Sequence, residues 1–210
     1  MNERELRERI AQHGKSLFDR GLTAGSSGNI SVRLPDGMLV TPTNSCLGNL
    51  DPERIAKLDC QGNLLEGDKP SKEAFLHHSM YEARDSEQAI VHLHSTYSVA
   101  VSCLAEVDPA DVLPPITAYY VMRVGKLPLV PYFAPGDEKL AEAVERAAKA
   151  SRAVLLSNHG PVVAGKSLDA AVYATEELEE TAKLFLMLRN EKTRFLTAEQ
   201  VTDLQKRFSN

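Results

Sequence analysis

Two histidines, His92 and His94, stand one residue apart at the end of an apolar segment. Residues 88–94 are predicted to form a strand, in which alternate side chains share a face and lie roughly 6–7 Å apart along the backbone. Two imidazoles so placed can bind one cation, and imidazole suits zinc and other first-row divalent metals. The pattern also fits one buried histidine held by a backbone carbonyl, so it leaves metal binding and packing both open.

A third histidine, His159, follows the apolar residues 153–156 within the polar sequence Ser-Asn-His-Gly. α/β proteins commonly place ligands at the ends of strands, and Gly160 permits tight backbone geometry there. Three imidazoles leave a fourth coordination position open, which is typical of catalytic zinc sites. The alternative is a plain turn, in which Asn158 and Gly160 reverse the chain.

A carboxylate, Glu73, lies near the start of a helix that is predicted over residues 70–84, with Ser71 as its N-cap. The helix dipole and the free N–H groups of a first turn favour an anion at this position. The alternative is that Ser71 only caps the helix and Glu73 only complements its dipole. His77 follows one turn later on the same face, and packing is its favoured role.

Two polar loops flank a predicted hairpin and offer hydroxyl and amide donors. The first is Gly-Ser-Ser-Gly-Asn at residues 25–29, whose composition resembles a backbone cradle for phosphate oxygens. The second is Thr-Pro-Thr-Asn-Ser at residues 41–45. The first is neither a Walker A motif nor a dinucleotide-binding fingerprint, and a single Gly/Ser-rich turn is usually a plain loop.

The elements that must position these residues alternate between helices and hairpins. Helices are predicted over residues 2–20, 70–84, 95–104, 136–150, 168–189 and 198–208. Strands are predicted over residues 29–34, 38–41, 88–94, 127–132, 154–157 and 161–164, with a second hairpin across residues 60–63. This order predicts an α/β protein with a mixed or mostly antiparallel sheet between helical layers. Since no linker or repeat divides the chain, residues 1–210 are predicted to form a single domain.

The composition narrows the range of partners. The chain has 210 residues and a net charge of −5, which argues against nucleic acid or an anionic membrane as its main partner. No apolar run approaches the roughly 20 residues of a membrane helix, and the charged N-terminus lacks the features of a signal peptide. A cytoplasmic protein is therefore expected, with Cys46, Cys60 and Cys103 as reduced and mostly buried thiols.

Taken in order, the motifs S-G-N-x-S, T-P-T, P-S-x-E, H-x-H and N-H-G resemble the class II aldolase/adducin family over nearly the whole chain. The resemblance implies a three-layer α/β/α sandwich with a central, mostly antiparallel sheet, a homotetramer, and Zn²⁺ as cofactor. It also implies that His92, His94 and His159 are zinc ligands. Glu73 would be the catalytic acid/base and would reach the metal when substrate is absent.

The same resemblance implies a substrate site. Its phosphate-binding positions are matched by Gly28, Asn29, Thr43, Asn44, Ser71 and Lys72. The family's catalytic tyrosine is matched best by Tyr119, with the adjacent Tyr120 as the alternative. Two positions depart from the aldolase pattern, because Lys72 replaces a serine and Asn44 replaces a glycine.

Within the family, the sequences T-P-T-N-S-C-L-G, D-K-P-S-K-E and V-P-Y-F-A-P-G-D look most like the branch of 3-oxo-tetronate 4-phosphate decarboxylases. The resemblance implies a zinc-dependent lyase that converts this small phosphorylated sugar acid to dihydroxyacetone phosphate and CO₂ through a metal-stabilised enediolate. A sugar-phosphate aldolase of the fuculose-phosphate type and a pentulose-phosphate 4-epimerase are the enzymatic alternatives. A non-catalytic adducin-type interaction module is the remaining one, and such a module is expected to lack the metal-binding histidines.

Overall fold

A computed structural model of the protein describes residues 2–134 and 137–208. Within these ranges the α-helices are α1 Glu3–Asp19, α2 Ala74–Ala83, α3 Thr96–Ser102, α4 Ala118–Arg123, α5 Glu138–Ala148, α6 Leu168–Leu188 and α7 Ala198–Arg207. The strands are β1 Asn29–Leu34, β2 Gly37–Val40, β3 Ala56–Asp59, β4 Leu64–Glu66, β5 Ala89–His92, β6 Leu129–Val130, β7 Ala153–Leu156 and β8 Gly160–Gly165. Two single-turn 3₁₀ helices, Leu47–Asn49 and Pro52–Arg54, join β2 to β3.

The strands form one sheet in the order β4-β3-β2-β1-β5-β8-β7-β6. Only the pairing of β6 with β7 is parallel among the described strands, so the sheet is mixed and mostly antiparallel, as predicted. β1 and β5 lie side by side at its centre, with Asn29 directly opposite His92. The sheet therefore brings a polar loop and the first histidine to the same edge.

Helix α2 begins later than its sequence predicts, and Ser71 is not its N-cap. The backbone N–H of Ser71 donates to the carbonyl of Thr41, and the N–H of Thr43 donates to the carbonyl of Lys69. These hydrogen bonds hold residues 69–71 extended against the segment that follows β2. The helix can begin only after the following turn, so its N-cap is Glu73 and its first residue is Ala74.

Several predicted elements are shorter in the structure. β5 ends at His92, so His94 lies beyond the strand. β6 is reduced to Leu129–Val130, since the prolines on either side cannot donate ladder hydrogen bonds. α5 starts at Glu138, and the predicted start of that helix at Gly136 falls outside the described residues.

Alternate residues of the strands belong to different hydrophobic clusters. Ile90 packs in a cluster that includes residues of α2 and α5. Its neighbour Val91 packs in another that includes residues of α1 and α6. A third cluster joins β7 and β8 to α4 and α6, with Tyr120 and Leu178 among its buried members. This division fixes β5 in register, because a shift by one residue would exchange its two faces.

The prediction that the cysteines are mostly buried is wrong. Cys60 and Cys103 are exposed and Cys46 is half-buried, and all three are free thiols. Cys60 lies in the turn between β3 and β4, and Cys103 is the C-cap of α3, so neither occupies a position that faces the core.

In the part of the chain that the structure describes, no helix is both long and apolar enough to cross a membrane.

Candidate metal centre and substrate cavity

Three histidines meet at one edge of the sheet. His92 is the last residue of β5, and His159 lies in the turn that joins β7 to β8. Because β8 pairs with both β5 and β7, that turn stands beside the end of β5. The Nε2 atom of His94 lies 3.1 Å from that of His92 and 3.0 Å from that of His159. The structure thus confirms that the two histidines of the H-x-H motif converge.

Glu73 completes the cluster from the start of α2. Its Oε1 atom lies 3.0 Å from His159 Nε2, and its Oε2 atom lies 3.4 Å from His92 Nε2. The prediction that Glu73 sits in the first helical turn is wrong by one position. As the N-cap residue it makes no side-chain capping bond, so its carboxylate is turned toward the histidines.

These four side chains fit a divalent metal ion. Their donor atoms all lie within 4.8 Å of one another. In a tetrahedral zinc site with bonds of about 2.0–2.1 Å, neighbouring donor atoms are about 3.3 Å apart. Four of the six pairs of residues have donor atoms that lie 3.0–3.4 Å apart and match that spacing. Imidazole nitrogen and carboxylate oxygen are also the donors that catalytic zinc sites use.

The protonation of the cluster favours metal binding. The Nδ1 atom of His92 lies 2.8 Å from the carbonyl oxygen of Pro161, so Nδ1 must donate and Nε2 keeps its lone pair. Burial, together with the nearby His92 and His159, lowers the pKa of His94 to about 4. His94 is therefore neutral near pH 7, as a metal ligand must be.

Glu73 is ionised in this arrangement. Burial alone would raise the pKa of its carboxyl, but the close approach of His159 and His92 lowers that pKa well below its ordinary value. The side-chain amide of Asn29 also donates to Glu73 Oε2 at 2.7 Å. A carboxylate with these neighbours can bind a cation and can exchange a proton with a ligand beside it.

A cavity of 350 Å³ opens beside the cluster. Every residue predicted to bind substrate lines it: Gly28, Asn29, Thr43, Asn44, Ser71 and Lys72. Glu73, His94 and His159 also line it. Sequence reasoning missed two apolar lining residues, Phe75 and Leu140, and their hydrophobic side chains carry no signal that separates them from core residues.

A second cavity, of 690 Å³, shares His94, His159 and Leu140 with the first. The rest of its described lining is mostly apolar and aromatic: Thr96, Val99, Pro131, Tyr132, Phe133, Leu156, Ser157 and Asn158. The metal cluster therefore stands between a polar cavity and a more apolar one. Of the residues that line this cavity, His94, His159 and the turn that carries His159 were predicted from sequence to lie near a ligand.

Tyr119 lies away from the cluster. It is exposed on α4 and lines a different cavity with Arg20, Arg123 and Tyr173. That cavity shares no lining residue with the two that contain the histidines. Tyr120 is buried, and its hydroxyl has no hydrogen-bond partner among the described residues. A catalytic role for Tyr119 stays a prediction.

Comparison with known proteins identifies the family. The sequence model of the family described as Class II Aldolase and Adducin N-terminal domain matches residues 8–186. The chain belongs to this family. Class II aldolase relatives include the 3-oxo-tetronate 4-phosphate decarboxylase of Haemophilus influenzae, which is 52% identical over 208 residues, or 99% of each chain. The L-fuculose phosphate aldolase of the same organism is 36% identical and aligns with 90% of this chain and 85% of its own length.

The class II aldolase fold is confirmed by solved structures. The crystal structure of YgbL from Klebsiella pneumoniae superimposes with a TM-score of 0.95 and 49% identity, covering 97% of this chain and 99% of that one. The family and the α/β fold that the sequence motifs predicted are therefore both confirmed.

Gly160 is expected to be essential to the class II aldolase site because it packs against the backbone between two histidines. A Cβ atom at this position would lie 2.2 Å from the carbonyl oxygen of Leu93. We expect Gly160→Ala to lower the free energy of unfolding by about 2–4 kcal/mol. It should also weaken the binding of a divalent metal, since Leu93 would have to move together with His92 and His94.

Gly62→Ala is the matched control. Gly62 and Gly160 both have a positive φ, but at Gly62 nothing lies within 4 Å of an added Cβ. It should cost about 1–2 kcal/mol and leave zinc affinity unchanged. Chemical denaturation and zinc titration measure both effects, and equal zinc affinities in the two variants would contradict the prediction.

Proposed function

We propose that this chain is a Zn²⁺-dependent carboxy-lyase that converts a 3-oxo-tetronate 4-phosphate to dihydroxyacetone phosphate and CO₂. The observation that carries the substrate assignment is the near full-length similarity to a decarboxylase of that name. The cluster of Glu73 with three histidines supports the reaction class. It also disfavours a non-catalytic adducin-type module, which has no use for a metal site.

His92, His94 and His159, with Glu73 in the absence of substrate, would hold the cation. When bound, a divalent cation supplies positive charge beside the oxygen atoms on which negative charge develops as CO₂ leaves. Zinc is the proposed ion because imidazole, an uncharged ligand when it binds a metal, suits it, and His94 lies at tetrahedral spacing from both other imidazoles. These neutral ligands would leave most of its charge available to the substrate.

The first cavity would hold the phosphate. The protein is net acidic, so local donors must anchor the anionic substrate. Lys72 supplies a positive charge in this cavity. The Ser71 hydroxyl accepts from the N–H of Glu73 at 3.2 Å and can donate its own hydrogen to a phosphate oxygen. Thr43 and Asn44 add further polar groups on the wall of the same cavity.

The second cavity would receive the carboxylate end of the substrate. With the phosphate beside Lys72 and the central oxygens at the histidines, the carboxylate extends toward the mostly apolar lining around Val99 and Phe133. An apolar surrounding disfavours a charged carboxylate relative to neutral CO₂, which favours cleavage.

Glu73 would transfer the proton that replaces CO₂. Cleavage of the bond between C1 and C2 leaves an electron pair on C2, and a proton must reach that carbon to give dihydroxyacetone phosphate. Among the described residues that line the first cavity, Glu73 is the one with a carboxyl group. Its carboxylate can take up a proton from solvent and deliver it to C2, where the new C–H bond takes the place of the broken C1–C2 bond.

The product assay tests the proposal directly. The zinc-loaded protein is incubated with a 3-oxo-tetronate 4-phosphate, and CO₂ and dihydroxyacetone phosphate are measured together. Equal amounts of both are expected, with loss of both after chelation. L-Fuculose 1-phosphate is supplied in parallel. Cleavage of that sugar without CO₂ release from the keto acid would support the aldolase alternative instead.

Replacing Lys72 tests the phosphate site. A charge-assisted hydrogen bond to an anion contributes about 1.5–3 kcal/mol, so Lys72→Ser should raise KM roughly 10- to 100-fold and leave kcat nearly unchanged. Lys69→Ser removes the same charge from an exposed residue outside the cavity and should leave both constants near wild type. Steady-state kinetics decide, and an unchanged KM in Lys72→Ser would rule out this role.

We further propose that the protein is a cytoplasmic homotetramer with the layered α/β/α arrangement of its family. The division of alternate strand residues among clusters that contain different helices supports the layering. A catalytic Tyr119 would then act on the site of another copy, because it lines neither cavity at the histidines of its own chain. Light scattering should give four times the chain mass of 23.1 kDa, and a monomer would contradict the assembly.

A further inference from the structure

Helix α2 and strand β1 face each other with matching rows of polar side chains. Glu73, His77 and Tyr81 are four residues apart, so they share one face along α2. Asn29 and Ser31 are two residues apart, so they share one face of β1. The two rows interdigitate beneath the metal cluster.

A continuous chain of hydrogen bonds connects these rows. Asn29 Nδ2 donates to Glu73 Oε2 at 2.7 Å, and Asn29 Oδ1 lies 2.5 Å from His77 Nε2. His77 Nδ1 lies 2.7 Å from Ser31 Oγ, which lies 2.9 Å from the hydroxyl of Tyr81. His77 and Ser31 are wholly buried, and Asn29 and Tyr81 are less than 5% exposed, at 3% and 4%. His77 therefore does more than pack, because its ring also makes two hydrogen bonds.

The direction of each hydrogen bond follows from the chemistry of its partners. The amide oxygen of Asn29 can only accept, so His77 Nε2 must carry a hydrogen. Burial lowers the pKa of His77 to about 3, so the ring is neutral and Nδ1 accepts from the Ser31 hydroxyl. Burial also raises the pKa of Tyr81, which keeps its hydrogen and donates to Ser31. Every hydrogen in the chain thus points toward Glu73.

We propose that His77 is a positioning residue, which orients the Asn29 amide so that Asn29 holds the Glu73 carboxylate against His92 and His159. If the amide turned over, its oxygen would face the carboxylate and its NH₂ group would face the N–H of His77. Both contacts would be repulsive, so the His77 tautomer selects one orientation. The inference rests on the proposed function, which gives Glu73 its metal-binding and proton-transfer roles.

Two substitutions of His77 separate positioning from packing. His77→Phe keeps a ring but removes both hydrogen bonds, whereas His77→Gln keeps an N–H donor for Asn29 and an oxygen acceptor for Ser31. Partners that orient a metal ligand affect metal binding or activity by about 10- to 100-fold. We expect His77→Phe to weaken zinc binding or lower kcat by that factor with little change in KM, and His77→Gln to recover most of the loss.

Ile10→Ala is the control for general destabilisation, because Ile10 is buried in a different core cluster from α2. It should lower Tm without changing zinc affinity or kcat. Zinc affinity is measured on the full chain by competition with a chromophoric chelator, and the visible absorption of the Co²⁺-loaded protein reports the ligand geometry. If His77→Phe does not fold, Ser31→Ala breaks the same chain by deleting one hydroxyl and should show a smaller loss in the same direction.

A loss of zinc affinity or kcat that His77→Gln restores, and that Ile10→Ala lacks, would support the inference. The inference would be overturned if the folded variant that breaks the chain of hydrogen bonds, His77→Phe or Ser31→Ala, had the zinc affinity, the Co²⁺ spectrum and the kcat of the wild type. Failure of the proposed function would appear differently, as absence of CO₂ release by the wild-type protein. The metal measurements need no substrate, so they decide the role of His77 in either case.

Discussion

Replacing Glu73 by glutamine is expected to lower kcat for CO₂ release by about 10²–10⁴, the usual contribution of a positioned acid or base. The amide has almost the shape of the carboxyl group, but it cannot take up and deliver the proton that C2 requires. In the native chain the carboxyl is held ionised by His159 and His92, and glutamine loses that charge as well. Zinc affinity should therefore also fall, so kcat is measured at saturating zinc.

Glu82→Gln is the matched control, since it makes the same change in the same helix on a side chain that is 64% exposed. Its kcat, KM and zinc affinity should equal those of the wild type. A wild-type kcat in Glu73→Gln at saturating zinc would remove Glu73 from the chemistry. A fall in zinc affinity alone would limit Glu73 to a metal-binding role.

The sequence predicted best those features that depend on near neighbours in the chain. The hairpin predicted from residues 29–34 and 38–41 is formed by β1 and β2, and the hairpin predicted across residues 60–63 is formed by β3 and β4. The convergence of His92 and His94 was also predicted from their spacing, although His94 lies just beyond the end of β5 rather than within the strand. Caps at Asn2 and Ser167 also appeared close to the predicted helix starts.

Predictions failed where a distant segment decides the local structure. Ser71 reads as a helix cap, but its backbone is engaged by Thr41, some thirty residues earlier in the chain. The two hydrogen bonds of His77 were missed because its partners, Asn29 and Ser31, lie on β1. Local spacing showed that Glu73 and His77 share a face, but only the pairing of α2 with β1 shows what that face contacts.

The metal cluster itself also combines local and distant parts. His92 and His94 come from one segment, whereas His159 reaches them only because β8 pairs with β5 and the turn before β8 stands at its end. Sequence spacing could not measure that approach, and the family resemblance supplied it instead. A cluster built from three separate segments should depend strongly on each ligand.

His94→Ala should abolish measurable CO₂ release, with a loss of at least about a thousandfold at zinc concentrations that saturate the wild type. His94 lies between the other two imidazoles, at 3.1 Å and 3.0 Å, so its removal leaves His92 and His159 without their shared neighbour. A metal ion stabilises developing charge by several kcal/mol, and each 1.4 kcal/mol corresponds to a factor of ten in rate.

Chelation of the wild-type protein should produce the same loss, and added zinc should reverse it in the wild type but not in His94→Ala. His78→Ala is the matched control, because His78 is 53% exposed on α2 and lies outside the cluster. It should bind one zinc ion per chain and keep wild-type kcat. Since an ion that binds only the folded state raises Tm, zinc should stabilise the wild type and His78→Ala to heat but not His94→Ala. Activity of the wild type that survives complete removal of metal would show that the histidines serve another purpose.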